Sequence, residues 1–319
     1  MKVFIAVATG VLGRRLIRMF RAQGATVVGV ARNSKNEATI RGLGGESRKC
    51  NLFDAESLAR AAGGADVVIH AATAIPVGSQ PGPKDWETND RIRREGTKAL
   101  AEATGMVGAR TFIAQSVVWV ARPADQSRFD ESSPVNPDAI TQSTADLEAI
   151  AREEGDKHGF QPAILRFGWF HSADSGHTRL FAEQLAARRL PIIGRGDALW
   201  SWIHVDDAAS AVVAAAHAVK SGIWHVVDNQ PIQAGSYLRA FAERIHAQPP
   251  RRVPPWLARL VAGSYAVNLM SASTRTSNAK FRRDFNWSPK FPTYSEALEE
   301  IVAQWRAEGF LIQKRKVAA

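Results

Sequence analysis

The sequence predicts an α/β chain built on a doubly wound parallel sheet, with a smaller C-terminal subdomain. Three observations carry this. The apolar run Val3-Phe4-Ile5-Ala6-Val7 has the length of a buried parallel strand. Gly10 and Gly13 follow it, while Leu12, Leu16, Ile17 and Phe20 recur at helical spacing. Further short apolar runs then alternate with helical stretches to about residue 168, the order expected of repeated βαβ units.

Taken in order, Thr26-Val27-Val28-Gly29-Val30-Ala31 reads as the second strand and runs into Arg32-Asn33-Ser34-Lys35. Ser47–Leu52 reads as a short third strand, and Asp54 is placed to cap a helix over Ala55–Ala62. Asp66–Thr73 is the fourth strand, with the small residues Ala71 and Ala72 near its tip. Residues 74–86, rich in Pro and Gly, form a loop long enough to help cover a site. A long helix is expected over Thr88–Met106, and a fifth strand, Thr111–Gln115, delivers Ser116 to its C-terminal edge. The next helix is expected over Asp138–Glu154 and the sixth strand over Pro162–Phe167. Beyond Gly168-Trp169-Phe170-His171, residues 176–190 read as helix and Pro191–Asp197 as a strand and turn. Ser201–Ala208 enters a return helix whose first turn suits Asp206 and Asp207. Ile223–Val227 returns a strand to the sheet, prolines at 249, 250, 254 and 255 punctuate the C-terminal part, and a last helix spans Tyr294–Ala307.

The 319 residues suffice for a sizeable core, and 45% hydrophobic with 23% charged residues is a globular composition. Cys50 is the only cysteine, which excludes an internal disulfide and fits a reducing cytoplasm. No charged segment precedes an apolar one at the start, so no signal peptide is expected. No apolar run approaches the roughly 20 residues that span a bilayer, so no membrane partner is expected. The net charge of +10 suits either an anionic macromolecule or an enzyme that draws anionic small molecules. Only Lys314-Arg315-Lys316 is a dense basic run; elsewhere bases interleave with acids, so nucleic acid is not expected. No His/Cys/Asp spacing suggests a metal site.

The opening strand, its glycine turn and its helix resemble the Gly-x-x-Gly-x-x-Gly fingerprint of the short-chain dehydrogenase/reductase superfamily, in its extended, epimerase/dehydratase-like branch. Val7 stands where the first glycine would be. Ser201–Ala208, Ser277-Asn278-Ala279-Lys280 and Asn286-Trp287-Ser288-Pro289 extend the resemblance over nearly the whole chain. It implies a Rossmann-type dinucleotide-binding domain over 1–168, joined by a return segment near 203–228. A substrate-binding subdomain would take 169–202 and 229–319. The cofactor would lie against Ala8, Thr9, Gly10, Val11, Leu12, Gly13, Asn51, Leu52, Ala71, Ala72, Thr73 and Phe167. An acid at the end of the second strand would accept from the ribose hydroxyls of NAD, whereas Arg32 can pair with the 2′-phosphate of NADP. NADP(H) is therefore expected in preference to NAD(H).

The resemblance carries over Ser116 as the hydroxyl that holds the substrate oxygen. It does not carry over the catalytic Tyr-x-x-x-Lys: those positions fall at Ile140 and Thr144, and Tyr237, Tyr265 and Tyr294 all lie elsewhere. General acid catalysis of that kind is worth on the order of 10²–10⁴-fold. Oxidation of an alcohol suffers most from its loss, reduction of an activated ketone least. Ser116, Thr141, His171 and His204 are the candidate proton donors, with Ser116 and His171 preferred as catalytic residues and His204 read as structural. Trp86, Trp119, Trp169, Phe170 and Trp200 are expected to bind a flat, aromatic substrate, and Trp202 to belong to the core. The expectation is an atypical NADPH-dependent, ketoreductase-like enzyme acting on a small molecule, cytoplasmic, and a monomer or homodimer. A catalytically silent NAD(P)-binding redox sensor and a nucleotide-sugar epimerase or dehydratase are the alternatives.

Overall fold

Side chains of the first strand alternate between two cores: Val3 and Ile5 pack toward one face of the sheet, Phe4 and Ala6 toward the other. Both faces are therefore covered by helices, as an all-parallel sheet requires. The computed structural model describes residues 1–76 and 83–310. The Lys314–Lys316 run and residues 77–82 of the Pro/Gly-rich loop lie outside them.

The N-terminal half contains β1 (Lys2–Ala6), α1 (Val11–Ala22), β2 (Thr26–Val30), α2 (Ser34–Gly42), β3 (Glu46–Arg48), α3 (Ala55–Ala62) and β4 (Val67–His70). Next, α4 (Pro83–Arg91) passes through a π turn at Ile92–Gly96 into α5 (Thr97–Met106). Then come β5 (Thr111–Val117), α6 (Gln142–His158) and β6 (Gln161–Phe167). The C-terminal half contains β7 (Trp169–His171), α7 (Gly176–Ala186), β8 (Ile192–Ile193), β9 (Leu199–Trp200), β10 (Trp202–His204), α8 (Val205–Ala218), β11 (Gly222–Val226), β12 (Ile232–Gln233) and α9 (Ala234–Arg244). It closes with β13 (Arg252–Val253), α10 (Pro255–Ser271), α11 (Ala279–Phe285) and α12 (Tyr294–Ala307).

Seven strands form one sheet in the order β11-β6-β5-β4-β1-β2-β3, every pair parallel. The chain reverses its direction of winding between β1 and β4, which opens the crevice where ligands of such sheets lie. One core packs α1 and α8 on the sheet, the opposite core packs α3, α5 and α6, and a third surrounds Trp200, Trp202, Tyr237 and Trp305 in the smaller subdomain.

Several elements depart from the sequence reading. The third strand is Glu46–Arg48, at the edge of the sheet, and stops short of the expected end at Leu52. The helix α2, not expected, starts where Asn33 Oδ1 accepts the Asn36 amide at 2.9 Å. The single helix expected over Thr88–Met106 begins at Pro83 and is interrupted by the π turn. The helix expected from Asp138 starts at Gln142, since Asp138 Oδ1 instead accepts the Ile140 and Thr141 amides in a turn. The helix also runs past the expected end at Glu154 to His158. The final helix has the expected bounds and opens on a reciprocal cap between Thr293 and Glu296.

Candidate functional site

At the end of β1 the chain turns through Val7 at φ 57°, the left-handed region that a β-branched residue rarely adopts. Gly10 caps α1 with no side-chain hydrogen bond, and the first turn carries no acid. A β-carbon on Gly10 would meet nothing closer than the Val7 carbonyl at 4.0 Å, so there is room beside this helix start, whose first N–H groups have no partner within the helix. Gly13 differs. A β-carbon there would lie 2.6 Å from the Ala8 carbonyl carbon, so only glycine lets α1 pack this closely on the turn. These features fit a pyrophosphate, with the Val7 side chain narrowing the approach.

Two arginines of α1 brace the turn. Arg14 donates to the Thr9 carbonyl (2.8 Å) and pairs with Asp174 at 2.6 Å. Arg15 pairs with Asp174 at 3.0 Å and with Asp206. Burial raises Asp174, but hydrogen bonds from Arg15 and Arg14 outweigh it and hold the carboxyl well below the usual range. The phosphate-type helix is thereby tied to the segment after β7 and to the start of α8.

Arg32 is exposed just past β2, beside the Asn33 cap of α2, and is not among the residues that line the cavity described below. Asn51 is exposed, its Oδ1 accepting the Phe53 amide at 3.1 Å, and Leu52 packs 3.4 Å from the position of a β-carbon on Gly96. Glu37 is held by Lys49 at 3.0 Å.

From the glycine turn a cavity of about 370 Å³ runs toward the smaller subdomain. Val7, Gly10, Val11, Leu12, Gly13, Ala71, Thr73 and Phe167 line it, together with Trp86, Trp119, Trp169, Phe170 and Trp202. Trp119 meets Trp169 edge-on at 4.9 Å. Ala8 and Ala72 are instead buried in the two cores. Trp200, expected in the wall, is 1% exposed and stands behind Trp169 at 5.6 Å. Trp202, expected in the core, is both buried and part of the wall.

Ser116 is not on the cavity wall. Side chains alternate along β5, and Phe112, Ala114 and Ser116 face α6 while Ile113, Gln115 and Val117 face the other way. The Ser116 hydroxyl donates to Glu148 at 2.6 Å, and Arg166 grips the same carboxylate through two bonds of 2.8 and 2.7 Å. Gln115 and Val117 line the cavity in its place. His171 is also off the wall, 1% exposed, stacked on Trp202 at 5.0 Å with Nδ1 3.4 Å from the Tyr237 hydroxyl. Burial, with His204 adding to it, pushes His171 well below the usual imidazole range, so it stays neutral. His204 caps α8, its Nδ1 accepting the Asp206 amide at 3.2 Å.

Where the resemblance places the tyrosine, Ile140 contributes an aliphatic side chain to the wall. The lysine position, Thr144, is fully buried, and its hydroxyl has no hydrogen-bond partner among the described residues. Thr141 beside them lines the cavity and donates to Asp138 at 2.8 Å. The π turn brings Arg93, 5% exposed, to the same wall. Gln115, Arg93 and Tyr237 are cavity residues that the sequence reading missed; for Gln115 the alternation along β5 is the signal that finds it.

The family described as NAD dependent epimerase/dehydratase family matches residues 3–226. A 3-diazoavenalumate denitrifying reductase from a Streptomyces species is 30% identical over 93% of this chain and 99% of its own. A farnesyl-dihydroquinoline-oxide ketoreductase of Stigmatella aurantiaca is 24% identical over 76% of this chain and 73% of its own. The crystal structure of a human epimerase family protein with NADPH superposes with a TM-score of 0.79 at 20% identity, covering 95% of this chain and 99% of the other. Among the described residues, no helix is long and apolar enough to cross a membrane, and no group of acidic, His or Cys side chains is arranged to hold a metal.

Proposed function

Because the chain belongs to the NAD dependent epimerase/dehydratase family, and is an NAD(P)-dependent oxidoreductase of the extended short-chain dehydrogenase/reductase type, we propose that it is an NADPH-dependent reductase of a carbonyl on a flat, aromatic small molecule. The observation that carries this reading is a single cavity lined by a glycine turn and by tryptophans, with Ile140 where a proton-transferring tyrosine would stand. The relatives named as reductases support the reaction class. Arg32, past the second strand, supports NADP(H).

The nicotinamide, when bound, supplies the hydride. The protein contributes the rest. The free N–H groups at the start of α1 would hold the pyrophosphate, and Arg32 the 2′-phosphate. Trp86, Trp119 and Trp169 stack the substrate ring and exclude water, which strengthens every polar contact at the reacting oxygen. Gln115 offers a neutral side-chain amide from the wall as a hydrogen-bond donor toward that oxygen. With Ile140 and Thr144 in place of the tyrosine–lysine pair that would shuttle a proton, the site favours substrates whose own electronics steady an alkoxide. The test is NADPH consumption across activated aryl ketones and, in parallel, binding of nucleotide sugars: turnover of the ketones with weak sugar binding supports the proposal, the reverse favours an epimerase or dehydratase. The strained Val7 and the missing pair favour a second reading, a cofactor-binding sensor, which predicts tight NADPH binding without turnover.

A further inference from the structure

Among the described residues, exposed large apolar side chains are scattered singly except at the start of α10. There Trp256 is 63% exposed and Leu260 77%, with Leu257 exposed beside them. Trp256 and Leu260 stand four residues apart and so share one face of the helix. Single exposed apolar residues are ordinary, whereas a group of this kind marks a surface built to be covered. A break at Gly263 (φ 79°) ends this part of the helix, and past it Leu269 of the same element lines the cavity.

The charge around this group has one sign. No acid occurs between Glu243 and Asp284, nor between Glu183 and Asp197. Strand pairing brings the two stretches together: Arg252 and Val253 of β13 run alongside Ile192 and Ile193 of β8. A β-carbon on Gly194 would lie 3.5 Å from the Pro255 ring. Arg188, Arg189, Arg251, Arg252 and Arg259 are all exposed in these segments, and Arg195 pairs with Asp197 at 2.7 Å.

From this combination we propose that the start of α10 docks on an anionic phospholipid bilayer. Trp256, Leu257 and Leu260 would enter the boundary between headgroups and acyl chains, and the arginines would meet lipid phosphates. Attachment to a surface needs no spanning run, only an exposed apolar face with basic flanks. Tryptophan suits that boundary, with a flat apolar ring and one N–H. Arginine stems lie along apolar surface while the guanidinium reaches the phosphate. A second copy of this chain fits the face poorly, because a symmetric pairing would set the arginines against one another. Protruding side chains also suit a soft layer, which needs no preshaped partner. The docking is independent of the reaction read into the cavity.

The test is co-sedimentation of the full-length protein with vesicles of phosphatidylcholine, alone or with about one-third phosphatidylglycerol, at about 0.1 M and about 0.5 M salt. The mixed vesicles should bind at least about 10-fold more tightly than the neutral ones, and less tightly at the higher salt. Trp256→Ser with Leu260→Ser should weaken that binding by about 10-fold or more, and Arg251→Gln with Arg252→Gln by about 10-fold. All four side chains are exposed, so unfolding midpoints should match the parent and certify the comparison. If the apolar double variant does not fold, quenching of the parent's tryptophan fluorescence by brominated lipid in the mixed vesicles decides, and its absence overturns the proposal. Failure of the parent to bind mixed vesicles also overturns it. So does binding that survives the loss of Trp256 and Leu260, which is adsorption by charge alone. A parent dimer that Leu260→Ser dissociates, seen by analytical ultracentrifugation, would assign the face to a second copy instead.

Discussion

The carbonyl oxygen of Val7 lies 2.7 Å from where a β-carbon on Gly13 would be. The turn and the helix it feeds are thus in direct contact, and two substitutions probe that contact from opposite sides. Gly13→Ala should force them apart and weaken NADP(H) binding by more than about 10-fold, with a stability loss of about 1–3 kcal/mol. Val7→Gly should release the cost of a left-handed valine, about 1–2 kcal/mol, and clear the approach to the helix start. Its expected result is tighter cofactor binding by fluorescence titration; weaker binding would mean that the valine side chain supports the site.

Ser116 makes a second prediction. Its hydroxyl donates to Glu148, the carboxylate that also holds Arg166, so Ser116→Ala should lower stability by about 1–2 kcal/mol and leave turnover within about 3-fold. Glu148→Ala strands a buried guanidinium and should cost about 3–5 kcal/mol. A rate loss of about 10- to 1000-fold in Ser116→Ala, with unchanged stability, would instead place its hydroxyl at the reacting oxygen.

Cofactor choice turns on Arg32. Replacing it with Ala should remove most of the preference for NADPH over NADH, about 1.5–3 kcal/mol in relative affinity. Equal affinities in the unmodified protein would remove the basis for this assignment.

Burial pushes His70 down to about 4, whereas an unfolded histidine titrates near 6.5. The sign follows: between those values the unfolded chain binds a proton that the folded chain refuses, so this residue's contribution falls as pH falls through the window. The slope approaches about 1.4 kcal/mol per pH unit. Urea midpoints followed from neutral pH to about pH 4 should fall less steeply in His70→Asn than in the parent. Parallel curves would show that His70 titrates in the folded state as it does in the unfolded chain.

How far the site was legible differs residue by residue. The strand, glycine turn and α1 were readable because apolar length, glycine spacing and helical periodicity agree over one short stretch. The last helix was readable for the same reason, with Thr293 and Glu296 marking its start. Ser116 was assigned to the cavity although alternation along β5 sends it to the opposite face; a one-residue shift in a strand exchanges its faces. His171 and Trp200 look available in sequence, but the aromatic cluster around Trp202 and Tyr237 encloses them. The inward turn of Arg93 leaves no trace in sequence, because a π turn keeps the composition of a helix and its burial is decided by tertiary packing.

The reductase assignment is tested most directly by the rate of NADPH consumption with an activated aryl ketone, set against the rate of NADP⁺ reduction with an unactivated secondary alcohol. Without a tyrosine–lysine pair, a substrate must steady its own alkoxide, so the ketone should turn over and the alcohol should give almost no rate. The double substitution Ile140→Tyr with Thr144→Lys should then raise the alcohol rate, by up to about 10²–10⁴-fold if the introduced pair is fully productive. Ready oxidation of unactivated alcohols by the unmodified protein, or tight NADPH binding with no turnover of any ketone, would contradict the account.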